Sequence, residues 1–531
     1  MRNTSNQTPL YTLAVVFFFW GFVAASNGIF IPFCKSHFQL SQYESQLIDA
    51  SFYAAYFFGS FFLYLFSQLN KHDILNKIGY KMGIVYGMLA YVVGAGLLGF
   101  FSSSEDATFG MILGAFFIIA LGFSLQQTSA NPFVVALGPV ETGTHRLNFA
   151  GGVNSLGTLL GPIVVSLVLF GAVGSGQSAS LGNIETLYWI LAGLFAFVAV
   201  FFFLNKSLPK VTSDEEIENS GKATQTLSII AIPIAILLFF NNFLPTAISE
   251  NLIYICLVVI VGILLYSLSA SQKNPQGWGA MHYPQLVLGM LGIFTYVGVE
   301  VTIQSNMGAL LKLPEFGSYD ESKISNFISL YWGSLMIGRW TGAISAFNIS
   351  SSTRKLLTFV VPFVAFGLIL GVNYYSGNAI ADLVPYAICI VVAVTAFFLG
   401  NEKPAKTLLL FAGIGILGML IGLFTSGNIA LFAFISGGLA CSIMWPSIFS
   451  LSISGLGKYT SQGGSFLIMM ILGGAIIPPI QGKVADSMGI HVSYFIPVLC
   501  FAYLAFFAIK AKSLLKAQGI NVDDLQAGGG H

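Results

Sequence analysis

Long apolar segments, separated by short polar stretches, make up most of the chain. Sixteen of them approach the ~20 residues that an α-helix needs to cross a bilayer. They lie at about 9–33, 43–68, 80–101, 108–137, 146–173, 184–205, 225–244, 250–269, 284–311, 324–348, 355–375, 380–400, 405–424, 427–453, 463–484 and 490–511. The pattern predicts an all-α polytopic membrane protein.

The fourth span carries polar residues near its middle, where residues 125–133 read LQQTSANPF. Such groups are costly in hydrocarbon unless they face a protein interior or a water-filled cavity. Gln127 and Asn131 share one helix face and offer the donors and acceptors that a neutral polyhydroxylated molecule needs. Pro132 also frees a carbonyl one turn back. The alternative is that these side chains only bond neighbouring helices.

Composition agrees with a membrane protein. Of the 531 residues 56% are hydrophobic and 8% are charged, and the mean hydropathy is +0.82, whereas a soluble domain carries about 25% charge. The net charge of +1 gives no indication of a nucleic-acid partner. The five cysteines are scattered without paired spacing, so neither a disulfide framework nor a metal site is predicted, and we expect no cofactor.

Basic residues predict the orientation of the spans. Lys71, Lys77 and Lys81 follow the second span and Arg146 follows the fourth, whereas the loop 102–106 has no Lys or Arg. By the positive-inside rule both termini are expected in the cytoplasm. The first apolar run has no small-residue cleavage site, so we interpret it as a membrane helix and not as a signal peptide.

The two halves of the chain resemble each other weakly. Asn131-Pro132 in the fourth span parallels Trp445-Pro446, and the glycines and proline between 151 and 162 parallel those between 463 and 479. Small residues let helix backbones approach closely, and Gly/Pro interruptions at matching places mark moving helices around a central site. The pattern predicts two related bundles with a substrate site between them.

Several short motifs occur together in these spans. They are Phe18-Phe19-Trp20-Gly21, Asn27-Gly28-Ile29-Phe30-Ile31-Pro32, Gln46-Leu47-Ile48-Asp49, Ala130-Asn131-Pro132-Phe133, Arg146-Leu147-Asn148, Asn154-Ser155, Gly338-Arg339 and Pro446-Ser447-Ile448-Phe449. The chain thereby resembles the branch of the major facilitator superfamily that contains the fucose permease and the glucose/galactose transporters. The resemblance implies an all-α fold with two pseudo-symmetric six-helix bundles and alternating access to a midplane sugar site. About four extra transmembrane helices, predicted at about 225–269 and within 355–424, depart from that pattern.

The resemblance also suggests the organisation of the chain and its setting. We expect a first bundle at 1–205, a linker with two extra helices at 206–282, a second bundle with an inserted helix pair at 283–515, and a cytoplasmic tail at 516–531. The protein is expected in the bacterial inner membrane, as a monomer among membrane lipids, with a small-molecule sugar as substrate and no nucleic-acid partner.

The candidate substrate-binding residues are polar or aromatic side chains of the central spans. They are Asn27, Gln126, Gln127, Asn131, Asn154, Gln304, Asn306 and Trp445. Trp445 lies beside Pro446 at midspan and offers a ring for the C–H face of a sugar, although ordinary packing explains a tryptophan equally well.

Few acidic residues lie deep in the spans. A bare carboxylate at the position of Glu300 costs about 2.5–3.5 kcal/mol on insertion scales, so it needs a partner or a function. Glu300 and Asp49 are the candidates for cation coupling; Asp49 lies about one turn into its span and is equally suited to cap that helix. Arg146 and Arg339 correspond to gating residues by the resemblance, with simple anchoring at the membrane surface as the alternative.

Two departures from the family pattern concern the coupling ion. Gly28 occupies a position where the fucose permease branch has an acidic residue, and Gln127 occupies that of a glutamate used by proton-coupled members. The sequence therefore predicts a monosaccharide importer coupled to Na⁺ or H⁺, with Na⁺ favoured. An uncoupled sugar facilitator, or a carrier of another small polar solute, is the alternative. Catalytic motifs such as His-Glu-x-x-His are absent, and no enzyme is expected.

Overall fold

The computed structural model describes a defined part of the chain. Backbone is described for residues 8–39, 42–102, 104, 107–139, 142–170, 181–209, 219–240, 244–319, 321–347, 349–377 and 380–521. Side chains are described in these ranges except at 24–37, 42–50, 162–163, 165–170, 181, 183, 239, 246–247, 321–322 and 325.

Each of the predicted spans corresponds to a helix. The helices are α1 (Thr8–His37), α2 (Gln42–Asn70), α3 (Tyr80–Ser102), α4 (Phe109–Ala136), α5 (Gly143–Phe170), α6 (Leu181–Leu204), α7 (Gly221–Ala235), α8 (Leu252–Lys273), α9 (Pro284–Leu311), α10 (Glu321–Ala343), α11 (Ser351–Tyr375), α12 (Ala387–Gly400), α13 (Pro404–Phe424), α14 (Gly427–Cys441, continued by Met444–Ile453), α15 (Thr460–Met469, continued by Gly473–Met488) and α16 (Phe495–Ala517). Within the described residues, 12 helices are long and apolar enough to cross a membrane; α1, α5, α10 and α12 complete the predicted set. The predicted all-α membrane fold is confirmed.

The packing of the helices repeats between the two halves. In the first half α3 packs on α4 and α6, α1 packs on α5, and α2 packs on α4. In the second half α13 packs on α14 and α16, α9 on α15, and α10 on α14. The correspondence defines two six-helix bundles, α1–α6 and α9, α10 and α13–α16. It also identifies the extra pairs as α7 with α8, between the halves, and α11 with α12, which the sequence placed only within 355–424.

Glycines let matching helices cross closely in both bundles. A Cβ on Gly122 of α4 would lie 2.7 Å from the carbonyl oxygen of Gly87 in α3. A Cβ on Gly418 of α13 would lie 2.9 Å from the carbonyl oxygen of Ala433 in α14. Without a hydrophobic driving force between helices in lipid, such backbone approach is a main source of packing energy. In both bundles a glycine therefore allows close backbone contact at equivalent helix crossings, α3 with α4 and α13 with α14.

The two bundles contact each other at the end of the molecule that carries the segment 71–79, which we call the closed end. Asp73 accepts hydrogen bonds from Asn76 N–H and from Ser461 Oγ, each at 3.1 Å, so it joins the segment after α2 to the start of α15. Phe466 of α15 packs edge-on against Tyr64 of α2. These contacts lie at one face of the bundle interface, between α2 and α15.

The linker around the first extra helix pair is bonded to both bundles at the closed end. Ser220 donates its N–H to Gln68 Oε1 of α2 at 2.9 Å, and its carbonyl accepts from Tyr64. On the other side, Ala280 donates its N–H to Gln462 Oε1 of α15 at 2.6 Å. Ser220 and Ala280, on either side of the first extra helix pair, are therefore bonded to the two different bundles at the closed end.

The carboxyl group of Asp73 predicts a pH effect on stability. Burial raises its pKa above the usual range, outweighing the hydrogen bonds from Asn76 and Ser461. A raised folded-state pKa favours the neutral acid, so the stabilisation is present below the unfolded pKa and is lost as pH rises through the folded pKa. We expect Asp73→Asn to raise the thermal midpoint in detergent at pH 8 and to flatten its decline from pH 4 upward. The exposed Asp486→Asn is the control, and an unchanged pH profile in Asp73→Asn would contradict this account.

Candidate functional site

A charged pair lies within the membrane helices of the second bundle. Arg339 of α10 places Nη2 3.4 Å from Glu300 Oε1 of α9, and each side chain is 12% exposed. Tyr296, one turn before Glu300, donates its hydroxyl to the same carboxylate oxygen at 2.9 Å. The partner that a buried carboxylate requires is therefore Arg339. It is an interhelical ion pair, and not a surface anchor for the arginine.

Arg339 also contacts the other bundle. Its Nη1 donates to Ser155 Oγ of α5 at 2.9 Å, so one guanidinium joins Glu300 in the second bundle to α5 in the first. The adjacent Trp340 donates its Nε1–H to the carbonyl oxygen of Gly152 at 3.1 Å. Helices α5 and α10 thus form a second face of the bundle interface, in addition to the contact between α2 and α15.

A further contact across the bundles joins two of the predicted binding residues. Trp445 of α14 donates its Nε1–H to Asn131 Oδ1 of α4 at 3.3 Å. The Trp445 ring lies 6.2 Å from the Tyr296 ring, centre to centre, and stacks on Phe449. Asn131, Trp445 and the Glu300–Arg339 pair are therefore connected through Tyr296, and these residues come from α4, α9, α10 and α14.

The two neighbouring glutamines of α4 point to different surroundings. Gln127 is half-buried and donates from Nε2 to the Tyr56 hydroxyl of α2 at 3.1 Å. Gln126 is fully buried inside the first bundle, where its Oε1 accepts from Trp20 Nε1 at 2.8 Å and its Nε2 has no hydrogen-bond partner. In this conformation Gln126 joins α4 to α1 by a hydrogen bond. Such bonding between neighbouring helices is the alternative to sugar binding that the sequence left open for these carboxamides.

The remaining predicted binding residues differ in their surroundings. Asn154 donates to the carbonyl oxygen of Phe17 at 2.9 Å and ties α5 to α1. Asn306 donates to the carbonyl oxygen of Thr302 at 3.0 Å within α9. Gln304 is half-buried one turn after Glu300. The side chains of Asn27 and Asp49 lie outside the described part of the chain.

Arg146 is buried, and its side chain forms hydrogen bonds with the C-terminal end of α4. Its guanidinium donates to the carbonyl oxygens of Val134 and Pro139, each at 2.9 Å, and to that of Val135. A helix C-terminus leaves carbonyls without partners and favours a cation. Arg146 thus caps α4 from the start of α5 and does not snorkel to the surface.

The sequence marks Tyr56 only as a weaker candidate for stacking on a sugar, and it does not mark the roles of Tyr296 and Ser155. Tyr296 and Ser155 hold the Glu300–Arg339 pair, and Tyr56 holds Gln127. The Glu300–Arg339 pair could have been found from the sequence, because an acid and an arginine inside apolar spans stabilise each other electrostatically. Within the described residues no group of three His, Cys, Asp or Glu side chains is placed to hold a metal ion.

The geometry describes an interface that can be opened and closed around polar residues. Ionic, carboxamide and aromatic side chains from both bundles meet between them, and Arg339, Trp340 and Trp445 each form a hydrogen bond across the interface. Such contacts can be exchanged as the bundles rock about a central site. This arrangement is typical of alternating-access carriers.

Comparisons with known proteins agree with this architecture. A model of the Major Facilitator Superfamily matches residues 13–478. The glucose/galactose transporter of Brucella abortus biovar 1 (strain 9-941) is 30% identical over 512 residues, 96% of each chain. The L-fucose-proton symporter of Escherichia coli (strain K12) is 26% identical over 511 residues, 96% of this chain and 94% of that protein.

Among solved structures, the Major Facilitator Superfamily transporter FucP, in the outward conformation, matches with a TM-score of 0.63. The match has 24% identity and covers 95% of this chain and 98% of FucP. It shows that the two chains share a fold. With a family model spanning most of the sequence, the chain belongs to the Major Facilitator Superfamily and is an integral membrane transporter, not an enzyme.

Proposed function

We propose that this transporter imports a monosaccharide of the glucose, galactose and fucose class by alternating access, driven by a coupled cation. The names of its relatives support the sugar class. The observation that carries the coupling is the Glu300–Arg339 pair, because its arginine is bonded to both bundles at once. A cation that binds Glu300 acts directly on a contact that holds the bundles together.

The proposed sugar site lies where α4 faces α14. Gln127 and Asn131 lie one turn apart, and Trp445 reaches Asn131 from the other bundle. The carboxamides match sugar hydroxyls as donors and acceptors, and the indole ring offers an apolar face to the C–H side of a pyranose. A sugar bound here would break the Trp445–Asn131 hydrogen bond between the bundles and would itself contact both residues.

The proposed coupling step is competition for Glu300. While the carboxylate is free of a cation it holds Arg339, which in turn bonds Ser155 of α5. A proton, or Na⁺ held by the carboxylate and nearby oxygens, weakens the attraction between Glu300 and Arg339. The contact with α5 is then easier to break. If the closed end faces the cytoplasm, as the basic residues at 71, 77 and 81 favour, this step opens the path inward.

Uptake into proteoliposomes tests the proposal. Labelled fucose, glucose, galactose, mannose and N-acetylglucosamine would each be offered with an inward Na⁺ gradient, an inward H⁺ gradient, or neither. Accumulation under one gradient identifies the substrate and the ion. Equilibration that ignores both gradients makes the protein an uncoupled facilitator. No flux of any sugar through folded protein would overturn the sugar class and favour another small polar solute.

Gln127→Ala tests the sugar site. Loss of a carboxamide that bonds an uncharged hydroxyl costs about 0.5–1.5 kcal/mol, so we expect sugar affinity to fall roughly 2- to 13-fold with near-normal expression. The neighbouring Gln126→Ala is the matched comparison. Its side chain bonds Trp20, so it should lower thermal stability more than affinity. Binding measured by calorimetry that is unchanged in Gln127→Ala would remove this residue from the site.

A further inference from the structure

An apolar cavity lies beside the α5–α10 face of the bundle interface. Its volume is about 370 Å³. The walls come from α5, from α10 and the turn after it, and from the inserted helix α11; the lining includes Phe149, Val153, Trp340, Phe347, Leu357 and Val361. All the residues that line it are apolar. A sugar, a cation or ordered water would find no hydrogen-bond partner there other than the indole nitrogen, which already bonds Gly152.

The cavity adjoins the surface that this protein presents to the bilayer. Helix α11 packs on α10 through one side, and its other side exposes the large apolar residues Phe359 and Val364. In a membrane-spanning helix such exposed apolar positions face hydrocarbon. The apolar group that can enter a cavity next to the bilayer is therefore the acyl chain of a lipid.

Basic residues lie at the closed end of the same helix. Arg354 is one turn before Leu357 and on its face, and Lys355 beside it is exposed. Lys403 and Lys406 begin α13 nearby, with Glu402 as the one acid of this group. Arg354 Nη1 lies 3.2 Å from Glu402 Oε1 and forms an ion pair with it, while the buried Nε of Arg354 has no hydrogen-bond partner. A phosphate group at this position would meet an excess of positive charge, from one arginine and three lysines against one acid.

We propose that this cavity binds one acyl chain of an anionic phospholipid, whose phosphate lies at Arg354 and Lys355. The walls belong to both bundles, because α5 is part of the first, and α10 part of the second. Trp340, which bonds the carbonyl oxygen of Gly152 across the bundles, forms part of the cavity wall, so the acyl chain occupies space shaped by this contact. The bound lipid therefore stabilises the conformation in which the closed end is shut, and rocking of the bundles must expel or reshape it.

Fluorescence quenching by brominated lipids tests the site, because bromine on an acyl chain quenches a tryptophan that it touches. The full-length protein and its Trp340→Phe variant would be reconstituted with phosphatidylglycerol or phosphatidylcholine, brominated on the acyl chains, at equal mole fractions. The difference between the two proteins isolates Trp340. We expect its emission to be quenched more by phosphatidylglycerol. Quenching of Trp340 that is absent, or equal for both lipids, would overturn the proposal.

Filling the cavity provides the second measurement. Val361→Phe adds bulk inside the cavity, whereas Val364→Phe adds the same bulk at an exposed position of α11. We expect Val361→Phe to reduce the quenching of Trp340 at least twofold and Val364→Phe to leave it unchanged. Lys355→Gln should remove the preference for phosphatidylglycerol, while Lys323→Gln, exposed at the start of α10, should keep it. Equal effects of the paired variants would contradict a specific site.

Discussion

Glu300→Gln should abolish ion-driven accumulation of sugar while sparing exchange of sugar for sugar. A unit charge that crosses 100 mV gains about 2.3 kcal/mol, enough for a gradient of roughly 50-fold. Glutamine keeps the shape and the hydrogen bond from Tyr296 but removes the charge for which a cation would compete. We therefore expect the accumulation ratio in proteoliposomes to fall to about one, with counterflow retained.

Two further variants separate coupling from folding. Removing one partner of a buried ion pair costs about 3–5 kcal/mol, because Arg339 is left with an uncompensated charge. The double variant Glu300→Gln/Arg339→Gln should recover much of the lost thermal stability and still fail to accumulate sugar. Glu315→Gln is the control, since the Glu315 carboxylate also has a side-chain partner, with Oε1 3.2 Å from His491 Nδ1, but lies outside the bundle interface. Full accumulation in Glu300→Gln would exclude this residue as the coupling group.

The membrane helices could be predicted from the sequence to within a few residues. The second span, about 43–68, corresponds to Gln42–Asn70, and the thirteenth, about 405–424, corresponds to Pro404–Phe424. The reason is physical: backbone in hydrocarbon must satisfy its own hydrogen bonds, so a long apolar run has one stable conformation. Assigning the inserted pair required packing, because α11, α12 and α13 are all apolar and the sequence does not distinguish which two are inserted.

The contacts of the site could be predicted only in part. The sequence indicated that Glu300 needs a partner, and that Asn131 and Trp445 occupy equivalent places in the two halves. It did not indicate which helices meet, so the Glu300–Arg339 pair and the Trp445–Asn131 bond, 314 residues apart, were not foreseen. The hydrogen bonds of Arg146 were not predicted either, although they join residues close together in the sequence. They are local, but they depend on the path of the loop between α4 and α5.

Gly152→Val should prevent the closed end from shutting and thereby stop transport. A Cβ at Gly152 would lie 2.6 Å from Trp340 Cδ1, and the branched side chain of valine adds more bulk. Trp340 also donates to the carbonyl oxygen of the same residue, so the ring has little room to withdraw. Overpacking of this kind costs about 1–3 kcal/mol, which lowers the population of the shut conformation roughly 5- to 150-fold. Transport requires that conformation, so uptake should fall by a similar factor.

Cysteine labelling distinguishes this effect from misfolding. Ser461 is buried against Asp73 at the closed end, so a cysteine at that position reacts with a maleimide only when the end opens. We expect Ser461→Cys to label at least tenfold faster when Gly152→Val is also present, with the protein lacking Ser461→Cys as background. Gly193→Val is the matched control, because a Cβ on this glycine of α6 meets no atom within 4 Å. Slow labelling together with normal uptake in Gly152→Val would show that α5 and α10 need not touch during the transport cycle.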